Sequence, residues 1–155
     1  MRWCDVRRTK MDDILKAVSE GWGWKIGKPG TIIAQNSFGN IILRNEDGRY
    51  FRIIPEDLKC VHLADSWEEL ERVRGMEAFQ QDWEMRRLVE QAEKSLGSLS
   101  EGECYHLVIP GVLGGAYAIE NIKRIAITDW LGFSGEVARP IEDLPEGTQV
   151  KLKWV

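Results

Sequence analysis

Cys104 and His106 come closest in this sequence to a catalytic arrangement. They are two positions apart in a predicted strand, so both side chains point to one face, where a thiol and an imidazole could form a nucleophile and base. No third group is evident that would orient the imidazole, and neighbours on one face of a strand are more often packing partners. The sequence therefore predicts no catalytic residues.

Sites for a metal or a phosphate are equally poorly supported. His62 stands alone in its strand, without Asp or Glu at the spacing of metal ligands. The glycine-rich loop 110–115 lacks the Lys-Ser/Thr of a P-loop and the Gly-x-Gly-x-x-Gly spacing of a dinucleotide site. We predict no metal and no cofactor, and we interpret this loop as a turn that needs positive φ at Gly114 or Gly115.

The charge distribution bears on the kind of partner. The 155 residues include 21 basic and 25 acidic side chains, a formal net charge of −4. Residues 55–104 carry 13 acidic and 6 basic side chains, or −7, whereas residues 1–54 carry 6 acidic and 10 basic side chains, or +4. Because phosphate binding depends on clustered Lys and Arg, the acidic middle third disfavours nucleic acid as a direct ligand and favours a basic protein partner.

Length and composition limit the possible fold classes and cellular compartments. With 43% apolar and 30% charged residues, the sequence is typical of one globular domain over residues 1–155, divisible into subregions 1–63 and 64–155. No apolar stretch approaches the roughly 20 residues that span a bilayer, and residues 1–10 show no secretory signal. Three cysteines, Cys4, Cys60 and Cys104, lack C-x-x-C spacing and are typical of reduced thiols. We expect a cytoplasmic protein that does not contact a membrane.

Hydrophobic periodicity predicts the helices. A first helix starts with Thr9 as N-cap and ends near Gly21, and an irregular segment pinned by aromatic residues follows it. At Ser66 the period changes from two to 3.6, and a Ser-x-x-Glu capping box marks the start of a helix. A second helical run is predicted from Met76 to Leu96, and a short helix at 130–138.

Alternating apolar residues and turn signals predict the strands. The hairpin signal Asp47-Gly48 lies within a run of short β-rich segments that reads as a meander. Strands are predicted at 31–35, 40–44, 50–54, 59–63, 104–109, 123–127 and 149–154. The predicted fold class is α+β, a mostly antiparallel sheet made of an N-terminal meander and C-terminal strands, with helices packed on one side.

The exposed faces of the two helical runs after Ser66 hold most of the acid excess. Solvated helix surfaces are the simpler interpretation, and a docking surface for a basic protein is the sharper one. Trp67 and Trp83 are expected in the core, whereas Trp22, Trp24 and Trp130 sit beside predicted loops and are better candidates for partial exposure, a question that the sequence leaves open. The predicted partner-binding residues are Glu68, Glu69, Glu71, Glu77, Glu84 and Trp130.

Two sets of residues carry a family resemblance. The first is NSFGNIILRNEDG at 36–48, followed by Ala64-Asp65-Ser66. The second is GECY at 102–105 and IPGVLGG at 109–115, followed by Tyr117 and Asn121-Ile122. Together they resemble a bacterial family of small domains whose best-known members are immunity proteins to DNase effectors of the type VI secretion system.

The resemblance implies a non-enzymatic protein that neutralises a toxin by binding it, and it brings no catalytic residues. The matching residues are mostly turn and core types and imply a scaffold rather than a toxin-contact site: Phe38, Gly39, Gly48, Asp65, Tyr105, Pro110, Gly114, Gly115, Tyr117 and Asn121.

Three hypotheses follow. The leading one is a cytoplasmic immunity protein that covers the basic substrate groove of a cognate toxin, a nuclease, with its acidic helical region. The first alternative is a protein-interaction or regulatory domain that has the family scaffold but no toxin partner. The second alternative is a small-molecule binder or enzyme that uses a pocket near His106 and the glycine-rich loop.

Overall fold

A computed structural model describes residues 8–145 and 147–150 of the chain. The helices are α1 (Arg8–Ile26), α2 (Trp67–Arg74), α3 (Glu77–Glu84), α4 (Arg86–Leu96) and α5 (Ile127–Ile141). The strands are β1 (Pro29–Gln35), β2 (Ile41–Asn45), β3 (Tyr50–Ile54), β4 (Lys59–Ala64), β5 (Glu103–Leu107) and β6 (Ile122–Ala126). Short 3₁₀ turns lie at Pro55–Asp57, Gly111–Leu113 and Ile119–Asn121. The α+β class is confirmed.

The strands form two antiparallel sheets. The first contains β1, β2, β3 and β4 in sequence order, which confirms the predicted meander, and the second pairs β5 with β6. In the first sheet Leu43 lies opposite Phe51, and Ile41 lies opposite Ile53. The turn between β2 and β3 contains Asp47-Gly48, as the hairpin signal predicts.

Helices cover both faces of the four-stranded sheet, whereas the sequence predicted helices on one side. Successive strand residues point to opposite faces, so Ile41 and Leu43 join the core cluster that contains α1 and α5. Ile42, between them, joins the cluster that contains Leu70 of α2 and Trp83 of α3. Both faces of β2 are therefore buried, and the consecutive apolar residues of this strand pack against helices on both sides of the sheet.

Helix α1 continues to Ile26, five residues beyond the predicted end at Gly21. The reason lies in α5: a Cβ at Gly135 would come within 2.0 Å of the Gly21 carbonyl oxygen, so the two backbones approach more closely than side chains allow. Trp22 is consequently buried, with 1% exposure, and Trp24 is half-buried. The prediction of an irregular segment after Gly21 is therefore wrong, and Trp22 is not the partly exposed residue that the sequence allowed. The predicted N-cap Thr9 lies inside the helix.

The second helical run is divided at Met85, which adopts a left-handed conformation with φ of 45°. The side-chain amide of Asn36 donates to the Trp83 carbonyl at 2.9 Å and thereby satisfies a group that a continuous helix would have bonded internally. Trp83 is buried, as predicted, but Trp67 is 45% exposed and was wrongly assigned to the core.

The chain beyond α5 departs from the predicted closing strand. Gln149 and Val150 are not in a strand, and residues 151–154 of that prediction lie outside the described residues, as does Cys4. Helix α5 itself is longer than predicted at both ends. Among the described residues, no helix is both long enough and apolar enough to cross a bilayer.

Candidate functional site

Helices α2 and α3 form a strongly acidic surface, defined here as residues 65–84. This segment has seven acidic and two basic residues, a net charge of −5. Of the predicted partner-binding residues, Glu68 and Glu71 on α2 and Glu77 and Glu84 on α3 are exposed. The structure thus brings these four carboxylates onto neighbouring helices, where they are available to a partner.

Glu69 is the exception because it caps the start of α2. The Ser66 hydroxyl accepts a hydrogen bond from the Glu69 amide at 3.2 Å, and the Glu69 carboxylate accepts one from the Asp65 amide at 3.1 Å. This confirms that a capping arrangement begins the helix. The Asp65 carboxylate also contacts His62 at 2.8 Å and Arg49 at 3.3 Å. The hydrogen bond to His62 lowers the Asp65 pKa, and the hydrogen bond from Arg49 lowers it to a smaller extent.

A cleft of about 340 Å³ separates the acidic helices. Its apolar wall is the stacked pair Phe79 and Trp83, whose ring centres are 6.2 Å apart. Glu71 and Glu84 lie at its edge together with Arg74, whose pKa is lowered by burial and raised in part by Glu71. The cleft therefore combines an aromatic wall with acidic edges, an arrangement suited to a cationic side chain with an apolar stem.

A buried polar network holds α3 on the sheet. Arg52 of β3 is 4% exposed, and its guanidinium donates to the Asn40 side-chain oxygen at 3.0 and 2.9 Å and to the Asp82 carboxylate at 2.7 Å. The same guanidinium lies 5.4 Å from the Phe79 ring and 5.2 Å from the Trp83 ring. Through Asp82 and the two aromatic rings, Arg52 therefore anchors α3 to β3.

Glu56 completes this network. Its carboxylate accepts hydrogen bonds from the Asn40 amide nitrogen at 2.7 and 3.0 Å. Burial raises the Glu56 pKa to about 7, against the weaker lowering effects of its backbone hydrogen bond, Asn40 and Arg52. Asn40 is the bridge between the two charged residues, and sequence reasoning did not single out any of the three. A basic residue in the middle of an apolar strand was the available signal.

Trp130 does not belong to this surface. It is 2% exposed, and its ring centre lies 4.9 Å from that of His106 and 6.0 Å from that of Phe133. The structure does not support Trp130 as an exposed partner-binding residue, because this side of α5 packs into the largest core cluster. As a partner contact, Trp130 would have to leave the core.

Cys104 and His106 lie in β5, as the sequence predicts, but their environments do not activate a nucleophile. Cys104 is fully buried, and burial raises its thiol pKa well above the usual range. Burial also lowers the His106 pKa, so the imidazole is biased toward its neutral form. A reactive cysteine requires the opposite shift of its thiol pKa. Among the described residues, no cluster of His, Cys, Asp or Glu is placed to hold a metal ion.

The glycine-rich loop is a rigid turn with an apolar tip. Gly114 has φ of 91°, in agreement with the predicted turn, whereas Gly115 is needed because a Cβ there would lie 1.7 Å from the Ile109 carbonyl oxygen. The Asn121 side chain accepts from the Ile109 amide at 2.9 Å and donates to the Ile109 and Ala116 carbonyls at 2.8 and 3.0 Å. The exposed apolar side chains at this tip are Val108, Ile109, Val112 and Tyr117.

Tyr117 connects this loop to the N-terminal half of the chain. Its hydroxyl donates to the Asp57 carboxylate, and burial together with this hydrogen bond raises the Tyr117 pKa well above its usual range. Its ring packs on Gly111, where a Cβ would meet the ring at 2.8 Å. The apolar tip was missed at the level of sequence, although apolar residues on both sides of a turn were the signal.

Comparison with known structures supports the fold. The crystal structure of Atu4351 from Agrobacterium tumefaciens aligns with a TM-score of 0.57 and 17% sequence identity. The alignment covers 82% of this chain and 64% of that chain, so the present sequence spans less than two thirds of its structural relative. No curated protein sequence matches the chain significantly.

Comparison with protein families is more specific. Residues 64–138, just under half of the chain, match the family described as T6SS immunity protein Tdi1, C-terminal. The matched region begins at the last residue of β4 and contains the acidic helices, α4, the second sheet and most of α5. Residues 64–138 are therefore similar to the family of type VI secretion immunity proteins, in agreement with the resemblance found in the sequence.

Proposed function

We propose that this chain neutralises a cognate toxin by binding it and covering its active site, without catalysing a reaction itself. The observation that carries the proposal is the family match over residues 64–138, which includes every residue of the acidic surface. A secreted toxin that enters a sister cell would meet this protein in the cytoplasm, the compartment we propose for it.

The charge of the acidic surface supports a nuclease as the toxin. An enzyme that cleaves DNA must hold a polyanionic backbone, and it does so with clustered Lys and Arg. A surface of net charge −5 complements such a groove and accelerates the encounter by electrostatic steering. A stable one-to-one complex buries about 1,600 Å² in total, an area that one face of a domain of this size can supply.

The aromatic cleft gives the acidic surface a specific anchor point. Phe79 and Trp83 form its wall, and Glu71 and Glu84 lie at its edge. An Arg or Lys of the toxin that enters this cleft would lie against the exposed part of Phe79, since Trp83 is almost fully buried, and would pair with Glu71 or Glu84. Such a buried contact slows dissociation, whereas the outer carboxylates of α2 and α3 mainly accelerate association.

The test uses the purified cognate toxin, to be sought first among the products of the genes adjacent to that of this chain. Charge reversal at Glu68→Lys and Glu71→Lys should slow association by about tenfold or more at low ionic strength, and the difference from wild type should shrink as salt is added. The matched control reverses Glu20→Lys and Glu136→Lys, which are exposed on α1 and α5. The control should associate at the wild-type rate at each salt concentration.

Toxin activity provides the second measurement. Wild-type protein at equimolar concentration should abolish DNA cleavage by the toxin, and a Glu71→Lys and Glu84→Lys variant should restore it, since both residues lie at the cleft. Absence of a complex, or survival of toxin-expressing cells without this protein, would overturn the immunity function and favour an interaction domain without a toxin partner. A complex that tolerates every charge reversal on α2 and α3 would refute the acidic surface as the contact.

A further inference from the structure

A second surface begins where the acidic surface ends. An open groove of about 810 Å³ lies between α4 and the segment that follows the glycine-rich loop. One wall is formed by α4, from Arg86 to Ser95, and the other by residues 117–120. Met85, at the break between α3 and α4, lies where the two surfaces meet.

The charge of this groove is opposite to that of the acidic surface. Its lining includes three basic residues, Arg86, Arg87 and Lys94, and one acidic residue, Glu120. All four are exposed. Arg86 is paired with Glu84 at 3.2 Å, whereas Arg87 and Lys94 form no salt bridge with any described residue. Arg87 and Lys94 are seven positions apart, with Gln91 between them, so they lie along one stripe of α4 that faces the groove.

The floor of the groove is apolar. Met85, Leu88 and Ile119 are half-buried and pack on the cluster beneath α4, and the ring of Tyr117 stands at one end with 48% exposure. Tyr117 also belongs to the apolar tip that includes Ile109 and Val112. Through Tyr117, the groove is therefore continuous with the exposed apolar tip of the glycine-rich loop.

This wall of the groove is preorganised. Asn121 fixes the loop through three hydrogen bonds, and Tyr117 is tied to Asp57 of the N-terminal half. A partner segment that binds here need not order the loop first, which removes a common cost of binding to flexible loops.

We propose that this groove binds an acidic segment of the cognate toxin, in which at least one apolar side chain lies between carboxylates. This inference rests on the proposed function and deepens it. Carboxylates of the segment would pair with Arg87 and Lys94, and the apolar side chain would cover Leu88 and the Tyr117 ring. A nucleic acid fits less well because its continuous negative charge would extend past Met85 toward a surface of net charge −5.

The test is charge reversal in the groove, measured as the Kd for the purified cognate toxin. The Arg87→Glu and Lys94→Glu variant should bind the toxin at least about tenfold more weakly than wild type. The matched control, Lys16→Glu and Lys28→Glu, changes the net charge equally at exposed sites on α1 and near the start of β1, and it should stay within about twofold of wild type. A cooperative thermal unfolding transition in both variants would establish that they are folded.

Photocrosslinking identifies the segment. A photoreactive amino acid at Gln91, between the two bases, should attach to one toxin peptide that contains several Asp or Glu residues around an apolar residue. A crosslinked peptide without acidic residues would overturn the proposal, as would a groove variant that binds the toxin as tightly as the control variant.

The two proposals fail in different ways. If wild-type protein does not bind the toxin, the immunity function falls and the groove assignment falls with it. If wild-type protein binds and the groove variant binds equally well, only the groove assignment falls. Binding of a single-stranded 20-mer DNA that the groove variant loses, with toxin affinity unchanged, would reassign the groove to nucleic acid.

Discussion

The buried carboxyl of Glu56 makes the stability of this protein depend on pH in an unusual direction. Its pKa is about 7 in the folded chain, against an ordinary value of 4.5. Because the Glu56 pKa is higher in the folded chain, Glu56 keeps its proton between about pH 4.5 and 7 in the folded state, whereas it has lost the proton in the unfolded state. The contribution of Glu56 to stability is therefore fully present below about pH 4.5 and is lost as the pH rises through about 7.

The magnitude follows from the difference between the two pKa values. A separation of about 2.5 pKa units corresponds to about 3 kcal/mol, at 1.36 kcal/mol per unit. The substitution Glu56→Gln removes the ionisation and keeps an oxygen that accepts from the Asn40 side chain. We expect the variant to gain about 3 kcal/mol relative to wild type as the pH is raised from about 4 to about 8.

The assay is urea unfolding of both proteins at a series of pH values. Other carboxyl groups titrate in the same range, but they are common to the two proteins and cancel in the difference between the two unfolding free energies. A second, direct measurement is the NMR titration of the Glu56 side-chain carboxyl carbon, which should show a midpoint near 7.

Two outcomes would refute this reasoning. A difference in unfolding free energy that stays constant within about 0.5 kcal/mol across the pH series would show that Glu56 does not titrate abnormally. A variant that loses stability relative to wild type as the pH rises would show that Arg52, acting through Asn40, stabilises the ionised carboxylate more than burial destabilises it.

Two further predictions concern packing. Gly135→Ala should destabilise the chain by about 2 kcal/mol or more, because the new methyl group would meet the Gly21 carbonyl. Gly132→Ala, where a Cβ would have nothing within 4 Å, should instead stabilise α5 by about 0.5–1 kcal/mol. Thermal unfolding would separate the two variants, and equal effects on stability would contradict the close contact between Gly135 and Gly21. Trp83→Ala should cost about 3–5 kcal/mol and Trp67→Ala less than about 1 kcal/mol, according to their burial. Urea midpoints would check this order, and the reverse order would contradict the assignment of Trp83 to the core.

The parts of the fold that sequence reasoning predicted are those fixed by local rules. The meander follows from alternation and turn residues, and the start of α2 follows from Ser66 and Glu69, which are three positions apart. The exposed position of four glutamates on α2 and α3 likewise follows from helical periodicity.

The parts that were missed depend on residues far apart in the chain. Gly21 reads as a helix end, and only its contact with Gly135 shows why the helix continues. Met85 reads as a helix interior, and the break is supported by Asn36, which lies 49 positions earlier. The burial of Trp130 likewise depends on packing between elements that periodicity alone does not place together.

The same distinction applies to the two proposed binding surfaces. The acidic surface is a property of two consecutive helices, and a sequence pattern can reveal it. The groove is built from α4 and from residues 117–120, which are more than 20 positions away, and its opposite charge is hidden within an acidic middle third of the sequence.

Under the proposed function, two adjacent surfaces of opposite charge would provide a means of distinguishing one toxin from another. A surface of net charge −5 alone would attract many basic proteins, since long-range attraction depends on charge more than on shape. A partner that is basic throughout would be repelled by Arg87 and Lys94 when it docks across Met85. A cognate toxin must then present a basic region to the acidic surface and, at a matching distance, an acidic segment with an apolar side chain to the groove. For any other toxin, attraction at one of the two surfaces is offset by repulsion at the other.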